Sequence, residues 1–405
     1  MKPYIGLDIG TTKVAVVAAE PEESGALKIV GIGHAPSEGM RRGVVVNLEE
    51  AVRSIRSAAA EAERMAGTPV REVAVGIAGE HVRSINSRGV IAVSREGSEI
   101  GSDDVARVVE AARAVAIPGD RQVLHVIPQE FVVDDQAGIR NPVGMSGVRL
   151  EAEVHIVTGG VTSVRNLEKA VRGAGLKPVS FVLEPLASAR AVLTADEKSL
   201  GCLLIDLGGG TTDIALYYEG AVRHTAVIGL GGSNVTHDLA IGLHTPLGAA
   251  EELKLAHGSA LADRVPNGAS VDVAGVGGRD PKPIERHVLA SMIEARMEEV
   301  FTMVYREAKK NLYTDLIAGG VVLTGGGAAL DGVVELAERI FEMPVRLGAA
   351  RGAVGTREAL EDPRFATAVG LVLHAQEDTE GDRFEETHLL ERISAPMRRW
   401  IAEFF

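Results

Sequence analysis

The sequence predicts an α/β protein with a duplicated core, an inserted α+β unit and a C-terminal amphipathic helix. Two related segments, YIGLDIGTTK from Tyr4 and CLLIDLGGGTTD from Cys202, lie about half the chain length apart. In each segment an apolar run ends in Asp, and an apolar residue, glycine and a Thr-Thr pair follow. Between the two segments the pattern alternates between strand and helix. Two copies of one motif, separated by about half of the 405 residues, indicate two related α/β cores.

The composition excludes several classes of protein. With 42 basic and 56 acidic side chains the formal charge is −14, which argues against a nucleic-acid-binding body. The one cysteine, Cys202, cannot form a disulfide within the chain and suits a reducing cytosol. The first residues lack the pattern of a signal peptide, and no apolar run reaches the roughly 18 residues of a spanning helix. We therefore expect any membrane contact to be peripheral.

In the first half we predict a buried strand over residues 73–78, a helix over 102–116 with Ser102 as its N-cap, and a helix over 162–173. Two strands, over 122–133 and 148–157, flank a loop that contains Gly and Pro. Residues 81–160 are therefore predicted to form a small inserted α+β unit, and a ferredoxin-like arrangement is compatible with it.

In the second half we predict helices over residues 236–243 and 246–257, hairpins within 258–283, a long helix over 284–313 and a strand over 321–323. The long helix has apolar residues near helical spacing: Val288, Met292, Met297, Val300, Val304 and Ala308. Residues 376–391 are strongly acidic and are predicted to form a solvated linker.

These elements predict a division of the chain into six parts. The parts are a first core subdomain (1–80 and 161–195), the insert (81–160), a second core subdomain (196–230 and 314–375), a smaller upper subdomain (231–313), the acidic linker (376–391) and a terminal helix (392–405).

The segment from Asp8 to Lys13 ends the first strand with groups that suit a nucleotide phosphate and its metal. Asp8 can hold waters of a Mg²⁺ shell, because Mg²⁺ keeps several waters and prefers carboxylates and phosphates. Gly10 permits close approach of the backbone. Thr11 and Thr12 supply amides and hydroxyls, and Lys13 supplies a positive charge. By itself the segment is equally typical of an ordinary glycine-containing hairpin turn.

The second turn is the stronger signal. After an apolar strand, Asp206 precedes three consecutive glycines, whose N–H groups can form an anion-binding nest. Asp206 can face the metal, and Asp213 can do so or simply cap the turn. The other residues of this second turn are Gly208, Gly209, Gly210, Thr211 and Thr212, and those of a third turn are Gly325, Gly326 and Gly327.

Three glycine turns that follow strands, two of them with a leading Asp, predict a site for nucleotide phosphates. The Walker pattern is absent, and so is a GxGxxG that opens a helix after a strand. These absences argue against P-loop NTPases and Rossmann dehydrogenases.

Further charged residues suit the same site. Glu251 and Lys254 lie three residues apart and share a helix face, where they can bind ribose hydroxyls or form a solvated surface ion pair. Glu184 follows an apolar strand, and its carboxylate can orient an attacking water or a metal-bound water. It can equally belong to an ordinary turn at the strand end.

The motifs DIGTT, DLGGGTTD and TGGGA together resemble those of the actin/Hsp70/sugar-kinase ATPase superfamily. Within it, residues 125–159, 184–213 and 229–254 resemble the FtsA family of bacterial cell division proteins. The first of these stretches is similar to the subdomain that FtsA proteins carry instead of the usual actin insertion. The resemblance covers nearly the whole chain. It implies an actin-like two-domain fold with ATP and Mg²⁺ in the cleft between the domains.

The resemblance also assigns roles by position. The first two turns match the family's phosphate turns, and residues 325–327 match its adenosine turn. Glu251 and Lys254 match residues at the nucleoside, and Glu184 falls where relatives place a water-positioning Gln or Glu. The residues that match the start of the upper subdomain, close to the nucleotide, are Gly231, Gly232 and Ser233. For the family, ATP hydrolysis ranges from slow to undetected.

The resemblance further implies a filament-forming adaptor that tethers the tubulin-like protein FtsZ to the cytoplasmic face of the cell membrane at the division septum. We expect the C-terminal peptide of FtsZ to bind the upper subdomain beside the long helix. There Lys282, Arg286 and Arg296 form a basic side and Glu299 can add an ion pair. Such charges can also serve only to keep a helix soluble.

The last residues predict an amphipathic helix that lies on the membrane. The apolar side chains that share one helical face are Ile393, Met397, Trp400, Ile401, Phe404 and Phe405. Arg398 and Arg399 lie on the other side, where they can contact anionic lipid. A C-terminal helix docked on the body of the protein is the alternative interpretation.

Two other functions share the superfamily motifs. A type IV pilus assembly protein has the same kind of insertion, but we expect no C-terminal amphipathic helix in it. A small-molecule kinase needs a substrate pocket with a catalytic base, and the sequence offers no additional Asp/Gly cluster for one.

Overall fold

The computed structural model describes residues 3–22, 26–93 and 99–385, and it arranges them in two lobes and an insert. The strands of the first lobe's sheet are β1 (Tyr4–Ile9), β2 (Lys13–Pro21), β3 (Leu27–Pro36), β6 (Glu72–Ile77), β11 (Lys177–Leu183) and β19 (Ala353–Val354). They lie in the order β11-β6-β1-β2-β3-β19, with β1, β2 and β3 antiparallel and the others parallel to their neighbours. A small ribbon, β4 (Met40–Arg41) and β5 (Val44–Val45), follows β3.

The second lobe repeats this plan. Its strands are β12 (Cys202–Leu207), β13 (Thr212–Tyr218), β14 (Ala221–Ile228), β17 (Val321–Thr324) and β18 (Val345–Leu347). The order is β14-β13-β12-β17-β18, again three antiparallel strands followed by parallel ones. Because β1 and β12 hold equivalent positions in the two sheets, the predicted duplication is confirmed.

Helices cover both sheets and fill the space between them. They are α1 (Leu48–Ala66), α3 (Val161–Gly173), α4 (Glu184–Val192), α5 (Ala195–Leu200), α9 (Val333–Phe341), α10 (Arg357–Glu361) and α11 (Ala366–Glu385). α1 and α3 pack on one face of the first sheet in a core of their own. α4 and α11 share a different core with β2 of the first sheet and β12 of the second. These two helices, called here the junction helices, therefore join the lobes.

The insert is a four-stranded antiparallel sheet with a helix on one face. Its elements are β7 (Arg83–Ala92), α2 (Ser102–Arg113), β8 (Arg121–Val133), β9 (Gln136–Ile139) and β10 (Arg149–Gly160). The strand order is β7-β10-β8-β9. Within residues 83–93 and 99–160 the sequence of elements is therefore β-α-β-β-β, and the two-helix ferredoxin-like arrangement is not formed.

Two details of the insert correct the prediction. The N-cap of α2 is Gly101, not Ser102, because the Asp104 carboxylate accepts the Gly101 N–H at 3.1 Å and thereby moves the cap back by one residue. The predicted loop 134–147 contains β9, which pairs with β8 as a short hairpin.

The upper subdomain consists of three helices and a hairpin. Its elements are α6 (Gly232–Leu243), α7 (Leu247–His257), β15 (Ser270–Val273), β16 (Lys282–Glu285) and α8 (Arg286–Ala308). α6 begins four residues before its predicted start, because the N–H groups of Gly232 and Ser233 donate to the carbonyls of Gly208 and Gly209 at 3.0 and 2.8 Å.

The long helix is shorter than predicted and faces the core differently. α8 ends at Ala308, because the Asn311 side chain accepts the Tyr313 N–H at 2.9 Å and starts a 3₁₀ turn. Its buried stripe runs through Leu289, Ile293, Met297, Val300 and Val304. Val288, one of the residues near helical spacing, lies about 100° from Leu289 around the helix and is 45% exposed, outside this stripe.

The predicted acidic linker is helical in its first part. α11 continues through residues 376–385, because buried side chains such as Leu371 and Val372 anchor it and Glu377 pairs with Arg190 of α4. Residues 386–405, which include the predicted membrane helix, lie outside the described residues. None of the helices in the described part of the chain is both long and apolar enough to cross a membrane.

Candidate nucleotide-binding site between the lobes

The three predicted turns meet at one cavity between the lobes. They follow β1, β12 and β17, and their strands place them at corresponding sheet edges. α4 and the segment before α11 complete the walls. The cavity is lined by Asp8, Gly10, Thr11, Thr12, Lys13, Glu184, Asp206, Gly208, Gly209, Gly210, Thr211, Asp213, Gly325, Gly326, Pro363, Arg364 and Thr367.

The first two turns have the same backbone structure. The N–H of Gly10 donates to the Lys13 carbonyl at 3.0 Å, and the N–H of Gly208 donates to the Thr211 carbonyl at 2.9 Å. Each is therefore a hairpin turn between antiparallel strands, which agrees with the interpretation of the first segment as an ordinary glycine-containing turn. Because each turn also lines the cavity, this interpretation does not exclude a role in binding phosphate.

The two turns face each other across the cleft. A Cβ on Gly209 would collide with Thr12, and one on Gly210 would collide with Thr11. The backbone N–H groups of these four residues have no hydrogen-bond partner among the described residues. Unpartnered amides in facing turns are donors for an anion.

Four carboxylates surround these facing turns. Asp8 and Asp206 are 8% and 7% exposed, and Asp213 pairs with Asp206 in the register of β12 and β13. Burial raises the pKa of Asp8 to about 6, against the opposing charge of Lys13. Burial, and the neighbouring negative charges, raise the pKa of Glu184 and of Asp213 well above the usual range.

The residues present fit a hydrated divalent cation. Buried carboxylates that repel one another gain from a nearby positive charge. One oxygen of Asp213, Oδ1, is buried without a hydrogen-bond partner in the described structure. Among the described residues no three His, Cys, Asp or Glu side chains converge closely enough to ligate a metal directly.

Lys13 lies in the cavity wall but is held by the segment before α11. Its ammonium donates to the Arg364 carbonyl and lies 4.2 Å from the centroid of the Phe365 ring. Burial lowers the pKa of Lys13, with Asp8 opposing this effect. The Lys13 side chain therefore lines the cavity and is oriented by a part of the chain that the sequence did not connect with it.

Several predicted residues lie beside the cavity rather than in its wall. The Thr212 hydroxyl donates to the Leu230 carbonyl at 2.8 Å, and a Cβ on Gly327 would meet the Leu207 side chain at 2.9 Å. Gly231, Gly232 and Ser233 form the start of α6, against the carbonyls of the second turn.

Glu251 and Lys254 form an ion pair at 2.7 Å, which confirms their shared helix face. Lys254 also donates to Thr236 at 3.0 Å and to the Gly232 carbonyl at 3.2 Å. The pair is therefore anchored at the start of α6 and next to the second turn, outside the cavity wall.

Sequence reasoning missed two hydroxyls of the site. Ser188 and Thr367 both donate to the Asp206 carboxylate. Ser188 lies four residues after Glu184, so helical spacing could have linked the two. Thr367 carries no such local signal, because its closeness to Asp206 arises only when α11 packs against α4.

The residues predicted to bind the partner are spread along the upper subdomain. Lys282 is exposed on β16, and Arg286 donates to the His257 carbonyl at 3.2 Å. Arg296 holds the Asp238 carboxylate of α6 at 2.5 and 3.0 Å and also contacts Glu299, which confirms the expected ion pair.

Comparison with known proteins agrees with this architecture. A family model described as cell division protein FtsA matches residues 203–370, and one described as an SHS2 domain inserted in FtsA matches residues 79–158. Cell division protein FtsA of Pseudomonas aeruginosa is 49% identical over 94% of this chain and 91% of its own length.

Two solved structures share the fold at low identity. The PilM-PilN type IV pilus biogenesis complex matches with a TM-score of 0.68 at 19% identity, over 92% of this chain and 98% of that one. MreB5 of Spiroplasma citri bound to AMPPNP matches with a TM-score of 0.55 at 15% identity, over 96% of this chain and 99% of that one.

The duplicated sheets, the facing turns and these structural neighbours define a protein of the actin-like ATPase fold, with an SHS2-type insert. Within that class, the extent and level of sequence identity decide against the pilus proteins and the small-molecule kinases. The chain belongs to the FtsA family of cell division proteins.

Proposed function

We propose that this protein binds ATP with Mg²⁺ between its lobes and acts in cell division as an adaptor that links FtsZ filaments to the cytoplasmic face of the cell membrane at the septum. The observation that carries the nucleotide part is the pair of facing hairpin turns, with four unpartnered N–H groups beside buried carboxylates. ADP- and ATP-analogue-bound MreB5 structures of the same fold support this choice of ligand.

Each part of the site has a role in this proposal. The turns at Thr11–Thr12 and Gly209–Gly210 donate to the phosphates, and Asp8 and Asp206 hold the metal's waters. The third glycine turn lies at the adenosine. Glu184 would orient a water toward the terminal phosphate, and its position at the start of α4 and in the cavity wall supports this role. Burial, with the charges of Asp8, Asp213 and Asp206 adding to it, raises the pKa of Glu184.

Replacing either metal-side carboxylate tests the nucleotide site. We expect Asp206→Ala and Asp8→Ala each to weaken ATP binding in the presence of Mg²⁺ by about tenfold or more, because a charged group that orients the metal's waters is lost. Asp272→Ala, which removes an exposed carboxylate from β15, is the matched control. Unchanged affinity of both site variants by calorimetry would show that the site assignment is wrong.

The membrane part rests on the terminal segment. In the helix predicted for residues 393–405, one face is apolar and carries the chain's one Trp, and the other face carries arginines. A helix this short is marginal in water and gains stability by folding on a surface. One copy should bind a membrane reversibly, and an assembly of many copies should bind firmly through effective concentration.

Deleting residues 392–405 tests the anchor. We expect the shortened protein to keep its ATP affinity and to lose co-sedimentation with anionic vesicles. Trp400→Glu alone should remove most of the co-sedimentation, because it places a charge within the apolar face. Equal sedimentation of the shortened and the full-length protein would exclude this segment as the anchor.

Self-association is supported by two apolar surfaces at opposite ends of α8. Ile241 and Val288, near its start, are 73% and 45% exposed, and Leu312 and Leu316, beyond its end, are 91% and 54% exposed. The 23 residues of α8 separate the two surfaces by about 34 Å. Two different surfaces at opposite ends permit head-to-tail contact and open filaments.

A charge on one surface tests this contact. We expect Leu312→Lys to prevent the ATP-dependent assemblies that electron microscopy on anionic lipid monolayers should reveal. Val148→Lys, at a site 75% exposed on the insert, is the control. Filaments of Leu312→Lys with unchanged length and number would remove this surface from the interface.

A further inference from the structure

The Asp206 carboxylate is held by two hydroxyls from distant parts of the chain. Ser188 Oγ donates to its Oδ2 at 2.6 Å, and Thr367 Oγ1 donates to the same oxygen at 3.0 Å. The two hydroxyl oxygens also lie 2.9 Å from each other. Ser188 is fully buried and Thr367 is 7% exposed. Each hydroxyl carries one proton, so two hydrogen bonds converge on this oxygen of the carboxylate, and the contact between the hydroxyls is a close approach rather than a third hydrogen bond.

The other oxygen of Asp206 has little room to move. It lies against the third turn, where a Cβ on Gly325 would collide with Oδ1. Rotation of the carboxylate would break both hydroxyl contacts and press the moving oxygen against this turn. Its orientation in the cavity is therefore set by its neighbours rather than by its own torsion preference.

The two hydroxyls belong to the junction helices, which lie between the two sheets. A Cβ on Gly370 of α11 would collide with the Ala187 carbonyl of α4, so the two backbones are in contact. A Cβ on Gly6 of β1 would collide with the Ala368 carbonyl, so α11 also lies directly on the first sheet. Asp206, in contrast, ends a strand of the second sheet. The two hydrogen bonds therefore join the junction helices to the second sheet.

We propose that Ser188 and Thr367 are positioning residues that orient the Asp206 carboxylate toward the waters of the bound metal and make that orientation depend on how the two lobes are arranged. The proposal rests on the proposed nucleotide site and adds to it. A shift of the junction helices relative to the second sheet changes the hydrogen bonds at Oδ2. The metal side of the nucleotide site thereby responds to the arrangement of the lobes.

The experiment compares ATP binding with Mg²⁺ and with EDTA. We expect Ser188→Ala and Thr367→Val each to lower the affinity for ATP in Mg²⁺ by about tenfold, as loss of a hydrogen bond to a charged group does. In EDTA, where Asp206 has no metal to orient, the affinities of the variants should stay within about twofold of wild type. Thr367→Ser, which keeps the hydroxyl, should show the same ratio of ATP affinities in Mg²⁺ and EDTA as the wild type.

Thr314→Val is the matched control, because its buried hydroxyl donates to the Ala308 carbonyl far from the cavity. A merely structural role predicts lower thermal stability with the same ratio of affinities in Mg²⁺ and EDTA, and that result would overturn the inference. Wild-type protein that binds no ATP would instead overturn the proposed function together with the inference. Wild-type binding with an unchanged Mg²⁺ effect in both variants would overturn the inference alone.

Discussion

Gly325 has a backbone conformation that a residue with a side chain rarely adopts. Its φ is +82°, in the left-handed region, and a Cβ there would collide with Oδ1 of Asp206 and lie 2.7 Å from the Leu207 carbonyl oxygen. The glycine therefore serves two purposes at once. It turns the chain after β17, and it lets that turn approach the end of β12 closely enough to close the cavity.

We expect Gly325→Ala to lower the free energy of unfolding by about 1–3 kcal/mol and to weaken ATP binding by more than tenfold. The turn must open, which moves it away from Asp206. Urea unfolding and calorimetry measure the two effects. Gly248→Ala, in α7 where a Cβ would meet no atom within 4 Å, should instead be neutral or stabilise by up to about 1 kcal/mol. If Gly325→Ala binds ATP with the affinity of the wild type, the close approach of this turn to the end of β12 is not needed for binding.

At the scale of elements, α8 is held against α6 by Arg296, a residue also predicted to contact the partner. Arg296 holds Asp238 of α6 with two nitrogens, and both side chains are partly buried, at 24% and 31% exposure. Hydrogen bonding to Asp238 raises the pKa of Arg296. A bidentate pair of this kind stabilises the contact between the helices. Arg296 therefore has a structural role whether or not a partner binds.

This role separates two variants that the sequence alone treats as equivalent. Arg296→Glu should lower the free energy of unfolding by about 1–3 kcal/mol, because it places like charges beside Asp238 and Glu299. Lys282→Glu, on the exposed hairpin strand β16, should leave stability unchanged and weaken binding of the acidic FtsZ peptide by about 1 kcal/mol or more. Fluorescence anisotropy and urea unfolding measure these effects.

Lys28→Glu, on β3 of the first lobe, is the matched control for charge reversal. If Lys282→Glu and Lys28→Glu change peptide affinity equally, the effect is one of net charge and β16 is not part of the contact.

At the scale of the whole molecule, the insert holds the second lobe through a polar contact. Nδ1 of His155 donates to Asn86 Oδ1 at 2.6 Å, and its Nε2 accepts from the Thr225 hydroxyl at 2.8 Å. Gln129 donates to the Val222 carbonyl at 2.6 Å. Thr225 and Val222 belong to β14, the strand that leads into Gly231 and the start of α6. The insert is therefore bonded to the strand that ends beside the nucleotide site.

This contact should weaken in acid. Burial lowers the pKa of His155 to about 3, with the charges of His224 and His125 adding to the effect. Between pH 6.5 and 3 the unfolded chain therefore binds a proton that the folded protein does not, so stability falls as the pH falls through this range. At pH 5 the loss is about 2 kcal/mol.

We expect His155→Gln to reduce the difference in free energy of unfolding between pH 7.5 and pH 5 by about this amount, because glutamine does not titrate. Urea unfolding at the two pH values measures it. His237→Gln, which replaces an exposed histidine, should leave the difference unchanged. An identical pH dependence in wild type and His155→Gln would show that this imidazole is not held in its neutral form.

The sequence by itself determined the duplicated core, the three glycine turns and the carboxylates that precede two of them. These features are encoded in contiguous residues: an apolar run makes a buried strand, and the Asp and glycines that follow it must lie where that strand ends. The same reasoning located α2, α3, α6, α7 and α8, since their caps and apolar spacing are local, but it predicted none of the other helices in the described part of the chain. The reasoning misplaced helix ends that depend on tertiary contacts. α6, for example, begins before its predicted start because its first N–H groups donate to carbonyls of the second turn.

Only the tertiary structure decided which groups surround Asp206 and what its neighbours do. Ser188 and Thr367 are 179 residues apart, and Thr367 lies 161 residues from Asp206. No local pattern links them. They meet because α11 and α4 pack with their backbones in contact between the two sheets. The extension of α11 into the acidic segment, and the pairing of Arg296 with Asp238, arise in the same way. The conformational preferences of adjacent residues favour a strand or a turn locally. A hydrogen bond between distant residues, in contrast, forms only after the elements that carry them have packed together.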